Sequence, residues 1–233
     1  QEKIGACSRL LVISKNLNRR KWMPQKHEWR KLEKQFYIPK NKPEVIDVLE
    51  FKFITLRGEG NPNTQAFTDV VSTLYSLAYP IKMLTKKMLE KPEGYHDYTV
   101  YPLEGIWDIN EAARHNFTGT INKDDLVYQM MIRQPNFVDE ALFSEIFDVV
   151  KNKKPNQLLD HVEFETFREG RCIQMLHLGP FEDEPASFAE MEAFAESEGL
   201  SRISKIHREI YLSDTRRVAP EKYKTVLRFN VKE

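Results

Sequence analysis

Within the stretch "HREIYLSD" (207–214), a carboxylate and a phenol lie two residues apart at Glu209 and Tyr211. Alternating β-branched, aromatic and polar residues bounded by Ser213 and Asp214 predict a strand. Successive side chains of a strand point to opposite faces, so His207, Glu209 and Tyr211 share one side and Ile210 and Leu212 the other. A carboxylate with a pKa near 4 is a feeble base at neutral pH. Apolar neighbours, or a second carboxylate, would raise it and make it an acceptor for a proton from water. The alternative is a wet sheet face on which Glu209 pairs with a nearby Lys or Arg. Residue order alone leaves both readings open.

The elements that must position these residues form a pattern that occurs twice. "FKFITLRGEGNPNTQAFTDVVSTLYSLAY" from Phe51 and "RCIQMLHLGPFEDEPASFAEMEAFAESEG" from Arg171 each read as a strand, a turn with Gly and Pro, and a helix. The first helix, 64–79, carries Phe67, Val70, Val71, Leu74, Leu77 and Ala78 at helical spacing, capped by Asn63 or Thr64. The second, 184–198, aligns Phe188, Met191 and Ala195, with Pro185 in its first turn and Gly199 ending it. Two strands follow each helix: 98–109 and 125–134, then 203–214 and 224–231. Short strands near 44–50 and 161–167 precede the repeats. A linker helix over 139–150 turns Leu142, Ile146 and Val149 inward. The expected fold class is α+β. Two pseudo-symmetric β-α-β-β repeats, 44–135 and 161–233, form a curved antiparallel sheet with both long helices on one face.

Superposing the repeats lays "LEGIWD" on "REIYLS", so that Gly105 matches Glu209 and Trp107 matches Tyr211. Leu103, Gly105, Trp107, Glu209 and Tyr211 then share the uncovered face, while Ile106 and Ile210 lie under the helices. A concave aromatic surface with one charge, and a glycine leaving floor space, suits a planar aromatic or cationic small molecule. Phe53, Tyr75 and Tyr79 are further candidates for the ligand wall, each equally suited to the core, while Tyr128 and Met130 share a face of the fourth strand and are expected to close the groove. His177 lies in a strand near His207 and is a candidate ligand contact. The six histidines show no metal-ligand spacing, and a zinc site would lack ligands.

At these residues the chain resembles the GyrI-like small-molecule-binding family. This is the fold class of the effector domains of multidrug-responsive regulators and of the SOUL haem-binding proteins. The resemblance rests on "FITLRGEGNPN", "YPLEGIWD", "HLGPFEDEPASF" and "HREIYLSDTRRVAPEKYKTVLRFNV", spread over about residues 27–233. It implies a central groove with the family's glutamate at Glu209. Stand-alone members of this type resemble hydrolases that open the strained cyclopropane of DNA-alkylating, duocarmycin-like compounds between two glutamates and aromatic walls. By that resemblance Glu209 and Glu182 are the catalytic acids, and Tyr211 donates to the phenolate oxygen that forms. The chain departs from the pattern at Asp108, where a second aromatic often stands, and at Thr215, where proline is common. A groove that binds or sequesters lipophilic cations without chemistry uses the same residues. An inhibitor that docks on a protein partner is a third, remoter reading.

Composition narrows the rest. Residues 1–25 hold six basic side chains against Glu2, so the remainder carries a net −5. An acidic body is ill suited to gripping phosphate backbones, and no nucleic-acid partner is expected. The basic head reads as an extension, disordered or foreign to the protein, with Met23 as the natural start and 26–233 as one domain. No apolar run nears the roughly 20 residues of a membrane span, and no glycine loop cradles phosphate. Two distant cysteines fit a reducing, cytoplasmic setting. No cofactor is expected, since a haem would need an axial ligand that the sequence does not single out.

Overall fold

Residues 26–116 and 119–233 are described by a computed structural model, and the basic head 1–25 lies outside them. Two single-turn helices come first, α1 (Trp29–Leu32) and α2 (Lys34–Tyr37), and bury Trp29, Phe36 and Tyr37. A 16-residue strand, β1 (Glu44–Glu59), then runs without a break through what the sequence suggests are two strands. Helix α3 (Gln65–Lys87) is capped by Thr64, whose hydroxyl accepts from the Phe67 N–H. It continues a further two turns past its expected end, through Pro80, because Ile81 and Thr85 extend the buried stripe.

Strand β2 (Leu103–Ile109), the short α4 (Glu111–His115) and β3 (Leu126–Gln134) follow. Helix α5 (Glu140–Lys153) is the linker helix; it buries Phe143, Ile146 and Val150, and turns Val149 outward rather than inward. Strand β4 (Glu163–Leu178) is also 16 residues long. The break expected between the short strand 161–167 and the repeat from Arg171 does not form: Gly170 takes φ 74°, a left-handed conformation open to glycine, and the strand runs on. Then come α6 (Glu184–Ser197), β5 (Ser201–Arg202), β6 (His207–Tyr211) and β7 (Lys224–Lys232).

The strands pair antiparallel in the order β4-β1-β3-β2-β6-β7, and β4 also pairs with β7. The mixed helix-and-sheet fold is thus a closed six-strand barrel, with β5 added at the edge of β7. Closure gives the sheet an inside and an outside. Helix α3 covers Ile54, Leu56, Met130 and Ile132 on the outside, and α6 covers Ile173, Met175, Leu227 and Phe229 further round.

The inside is ionic. Arg208 sits 2.7 Å from Glu104 and 3.2 Å from Glu169, and Arg228 sits 2.9 Å from Glu169. Arg228 also donates to the Phe36 carbonyl at 2.7 Å, tying α2 to the barrel. Isolated buried charges are strongly disfavoured, so each arginine here has a carboxylate partner.

This geometry corrects one expectation. Leu103, Gly105, Trp107, Glu209 and Tyr211 do share a face, since Leu103 registers with Tyr211 and Gly105 with Glu209. It is the face on which α3 and α6 pack, however, not the opposite one. Ile106 and Ile210 face inward, with Arg208 and Glu104. The opposite face has become a filled barrel interior that leaves no room for a groove.

Candidate functional site

Helices α3 and α6 stand apart on the barrel wall, and between them β2 and β6 form the floor of an open cleft of about 2200 Å³. Drug-sized pockets hold roughly 300–1,000 Å³, so space does not limit an organic ligand here. Trp107, Glu209 and Tyr211 reach the cleft from the floor, Phe67, Tyr75 and Tyr79 from α3, and Glu184 and Phe188 from α6.

A chain of hydrogen bonds links the floor. Trp107 Nε1–H donates to the Tyr211 hydroxyl at 2.7 Å, and that hydroxyl donates to Glu209 Oε2 at 2.7 Å. His207 Nε2 lies 3.1 Å from the other oxygen, Glu209 Oε1. The His207 ring packs edge-on against Phe188, 4.7 Å between centroids. Trp107 is held in turn by Phe67 and Tyr128, at 5.9 and 5.3 Å.

The second carboxyl of the site is Glu184, not Glu182. Glu184 is 6 % exposed and lies near enough to Glu209 for each carboxyl to feel the other's charge. Burial, followed by the neighbouring charges of Glu209 and Glu182, pushes its pKa up to about 10. Burial and the neighbouring charge therefore favour the protonated form of Glu184 at neutral pH. Among the described residues, its Oε1 is buried without a hydrogen-bond partner. Glu182 instead points to solvent and pairs with Lys123 at 3.3 Å. The reason is helical: a 3₁₀ turn over Phe181–Asp183 carries Glu182 outward before α6 begins at Glu184. The sequence held the signal, because Glu184 precedes Phe188 by four residues and Met191 by seven, on the inward stripe.

The other predicted contacts divide. Trp107, Tyr75 and Tyr79 line the cleft, the two tyrosines stacked with centroids 5.9 Å apart. Phe53 does not: it faces the barrel interior beneath the Arg208 guanidinium, 5.3 Å from its ring. Met130 is fully buried, and Tyr128 stands behind Trp107, so both are core. Gly105 leaves no open floor, because the Trp107 indole and the Met130 sulfur occupy the space its missing side chain vacates. His177 is buried away from the cleft, Nδ1 2.9 Å from Ser187 Oγ and Nε2 3.0 Å from the Pro180 carbonyl. Tyr211 already gives its proton to Glu209, and burial beside that carboxylate pushes its phenol well above the usual range. It therefore positions Glu209 rather than standing free to donate to a phenolate.

At the rim, Asp108 pairs with Arg114 where the sequence pattern would have an aromatic. Arg216 and Arg217 are both held by Asp214.

Known proteins bear on this geometry. No curated protein matches the chain. A solved structure of a hydrolase from Listeria innocua is 39 % identical, with a TM-score of 0.79 over 89 % of this chain and 100 % of that one. An uncharacterized conserved protein from Listeria innocua is also 39 % identical, with a TM-score of 0.78 over the same shares. The model of the GyrI-like small molecule binding domain matches residues 41–232, which takes in the barrel, both flanking helices and every cleft residue named above. The chain belongs to the GyrI-like family of small-molecule-binding domains.

Proposed function

We propose that this protein is a hydrolase that adds water to the strained, electron-poor cyclopropane of planar aryl-fused compounds of the duocarmycin kind, protecting DNA from alkylation. In this reading the β-α-β-β units are two pseudo-symmetric repeats, and the cleft between their helices is the ligand groove. The observation that carries it is the pair of buried carboxyls, Glu184 and a Glu209 that accepts from Tyr211, set in a cleft lined by aromatic rings. The similarity to a Listeria innocua hydrolase supports the same class of activity.

The chemistry follows from the pair. The substrate's flat body lies against Trp107 and the α3 aromatics. Glu209, aimed by Tyr211 and His207, takes a proton from water as the water oxygen bonds to the cyclopropane CH₂. The ring C–C bond breaks, and its electron pair enters the fused dienone, which becomes a phenolate. That oxygen is protonated from solvent at the open side of the cleft. Glu184 holds the water and Glu209 in register and keeps a second negative charge off the floor, where it would repel the first.

The expected product is substrate plus one water, detected by mass spectrometry with solvent ¹⁸O. Glu209→Gln should lower kcat/KM by about 10²–10⁴-fold, the usual worth of a positioned base. Glu182→Gln should change it by less than about twofold, since an exposed ion pair contributes little. Wild-type protein that leaves the substrate unchanged contradicts the proposal.

A second reading is favoured by the charge of the floor. With Glu184 neutral, Glu209 offers one carboxylate among aromatic rings, which suits capture of a lipophilic cation without turnover. Tight binding of such cations, weakened by Glu209→Gln and with no product from any cyclopropane, would select it.

A further inference from the structure

The carboxyl pair has more acid–base capacity than cyclopropane opening uses. In that reaction the departing electron pair ends on a dienone oxygen several bonds from the attacked carbon. A phenolate is a good leaving group, since a phenol has a pKa of about 10. No acid is needed beside the attacked carbon. Yet Glu184 lines the cleft together with Glu209, is 6 % exposed, and among the described residues has a buried Oε1 without a hydrogen-bond partner. A side-by-side acid and base serves a ring whose leaving atom is next to the carbon under attack.

We infer that the cleft also opens aryl-substituted oxiranes to vicinal diols, with Glu184 as the general acid. The inference rests on the reading that Glu209 activates water. The water oxygen bonds to the benzylic ring carbon and gives its proton to Glu209. The ring C–O bond breaks, and its electron pair stays on oxygen, which takes the Glu184 proton. An alkoxide is too basic to leave unaided, so the proton must arrive as the bond breaks. Among the described residues Glu184 Oε1 has no hydrogen-bond partner, and Glu184 lines the cleft, so its carboxyl is not committed elsewhere when an oxirane oxygen comes beside it. The proton on Glu209 then passes to Glu184, directly or through a cleft water, and the starting state is restored with one water consumed. Phe67, Trp107 and Phe188 supply apolar walls beside the pair, which favours an aryl group on the oxirane.

The test offers styrene oxide and trans-stilbene oxide to the full chain in ¹⁸O water, alongside an aryl-fused cyclopropane. The expected result is diol carrying one solvent oxygen. Glu184→Gln should lower oxirane kcat/KM by about 10²–10³-fold, the range of a lost general acid, but cyclopropane kcat/KM by only about tenfold. The remaining cyclopropane activity reports that the variant is folded, and Glu184→Asp should recover part of the oxirane rate. Cyclopropane turnover without diol above the uncatalysed rate overturns the inference and leaves the proposed function standing. Equal losses on both substrates in Glu184→Gln also overturn it. Failure of both substrates overturns both.

Discussion

Two residues, Glu184 and Glu209, decide what this cleft can do. Burial against another carboxylate keeps one of them protonated, and that state has a thermodynamic signature. Glu184 is raised from 4.5 to about 10 in the folded chain. The folded state therefore holds a proton that the unfolded chain releases over this range, and stability falls as pH rises. The contribution is complete below pH 4.5 and gone above about 10. Glu184→Gln removes it, so the Tm of the wild type should drop more steeply between pH 5 and 10 than that of the variant. Parallel curves in a pH series of thermal melts would count against a buried, protonated Glu184. The sequence made Glu209 legible through strand parity and a family resemblance. It misled on Glu182 because "GPFEDE" offers three acids in succession, and only the start of α6 decides which turns inward. The helical stripe through Phe188 and Met191 would have chosen Glu184.

At the scale of elements, glycines in the strands seat the aromatic floor. Tyr128 lies over Gly58, its direct partner across β1 and β3, with ring atoms 2.6 Å from where a Cβ would stand. Trp107 Nε1 lies 2.8 Å from the corresponding point on Gly105, and Met130 Sδ lies 2.9 Å from it. A methyl group at 105 must push the indole off its seat and away from the Tyr211 hydroxyl. Gly105→Ala should cost about 1–3 kcal/mol of stability by overpacking and should lower activity, with a shifted tryptophan emission as the optical sign. Unchanged emission and activity would show that the indole's seat does not matter. Periodicity alone located β2, β3, β6, β7 and α6 within a few residues. It broke β1 and β4 in two, because charged residues near their middles resemble turns when the pairing partner is unknown.

For the whole molecule, barrel closure was the feature least legible in the sequence. Parity says which residues share a face, but not which face the helices take. The β4–β7 pairing that closes the barrel joins segments some fifty residues apart, and no local pattern announces it. Closure encloses the ion network, and Arg208 couples it to the site, since it precedes Glu209 on β6 and points to the other side. Arg208→Leu would leave Glu104 and Glu169 short of a partner and should cost about 3–5 kcal/mol in denaturant unfolding. A loss under 1 kcal/mol would place those carboxylates in contact with water. The oxirane reaction depends on one retained proton, and the cyclopropane reaction on the single floor charge that this proton leaves. A ¹³C NMR titration of glutamate carboxyl carbons tests it directly. One resonance, absent from Glu184→Gln, should stay in its protonated position through neutral pH and titrate only in the alkaline range; a spectrum in which every glutamate titrates in acid would contradict it.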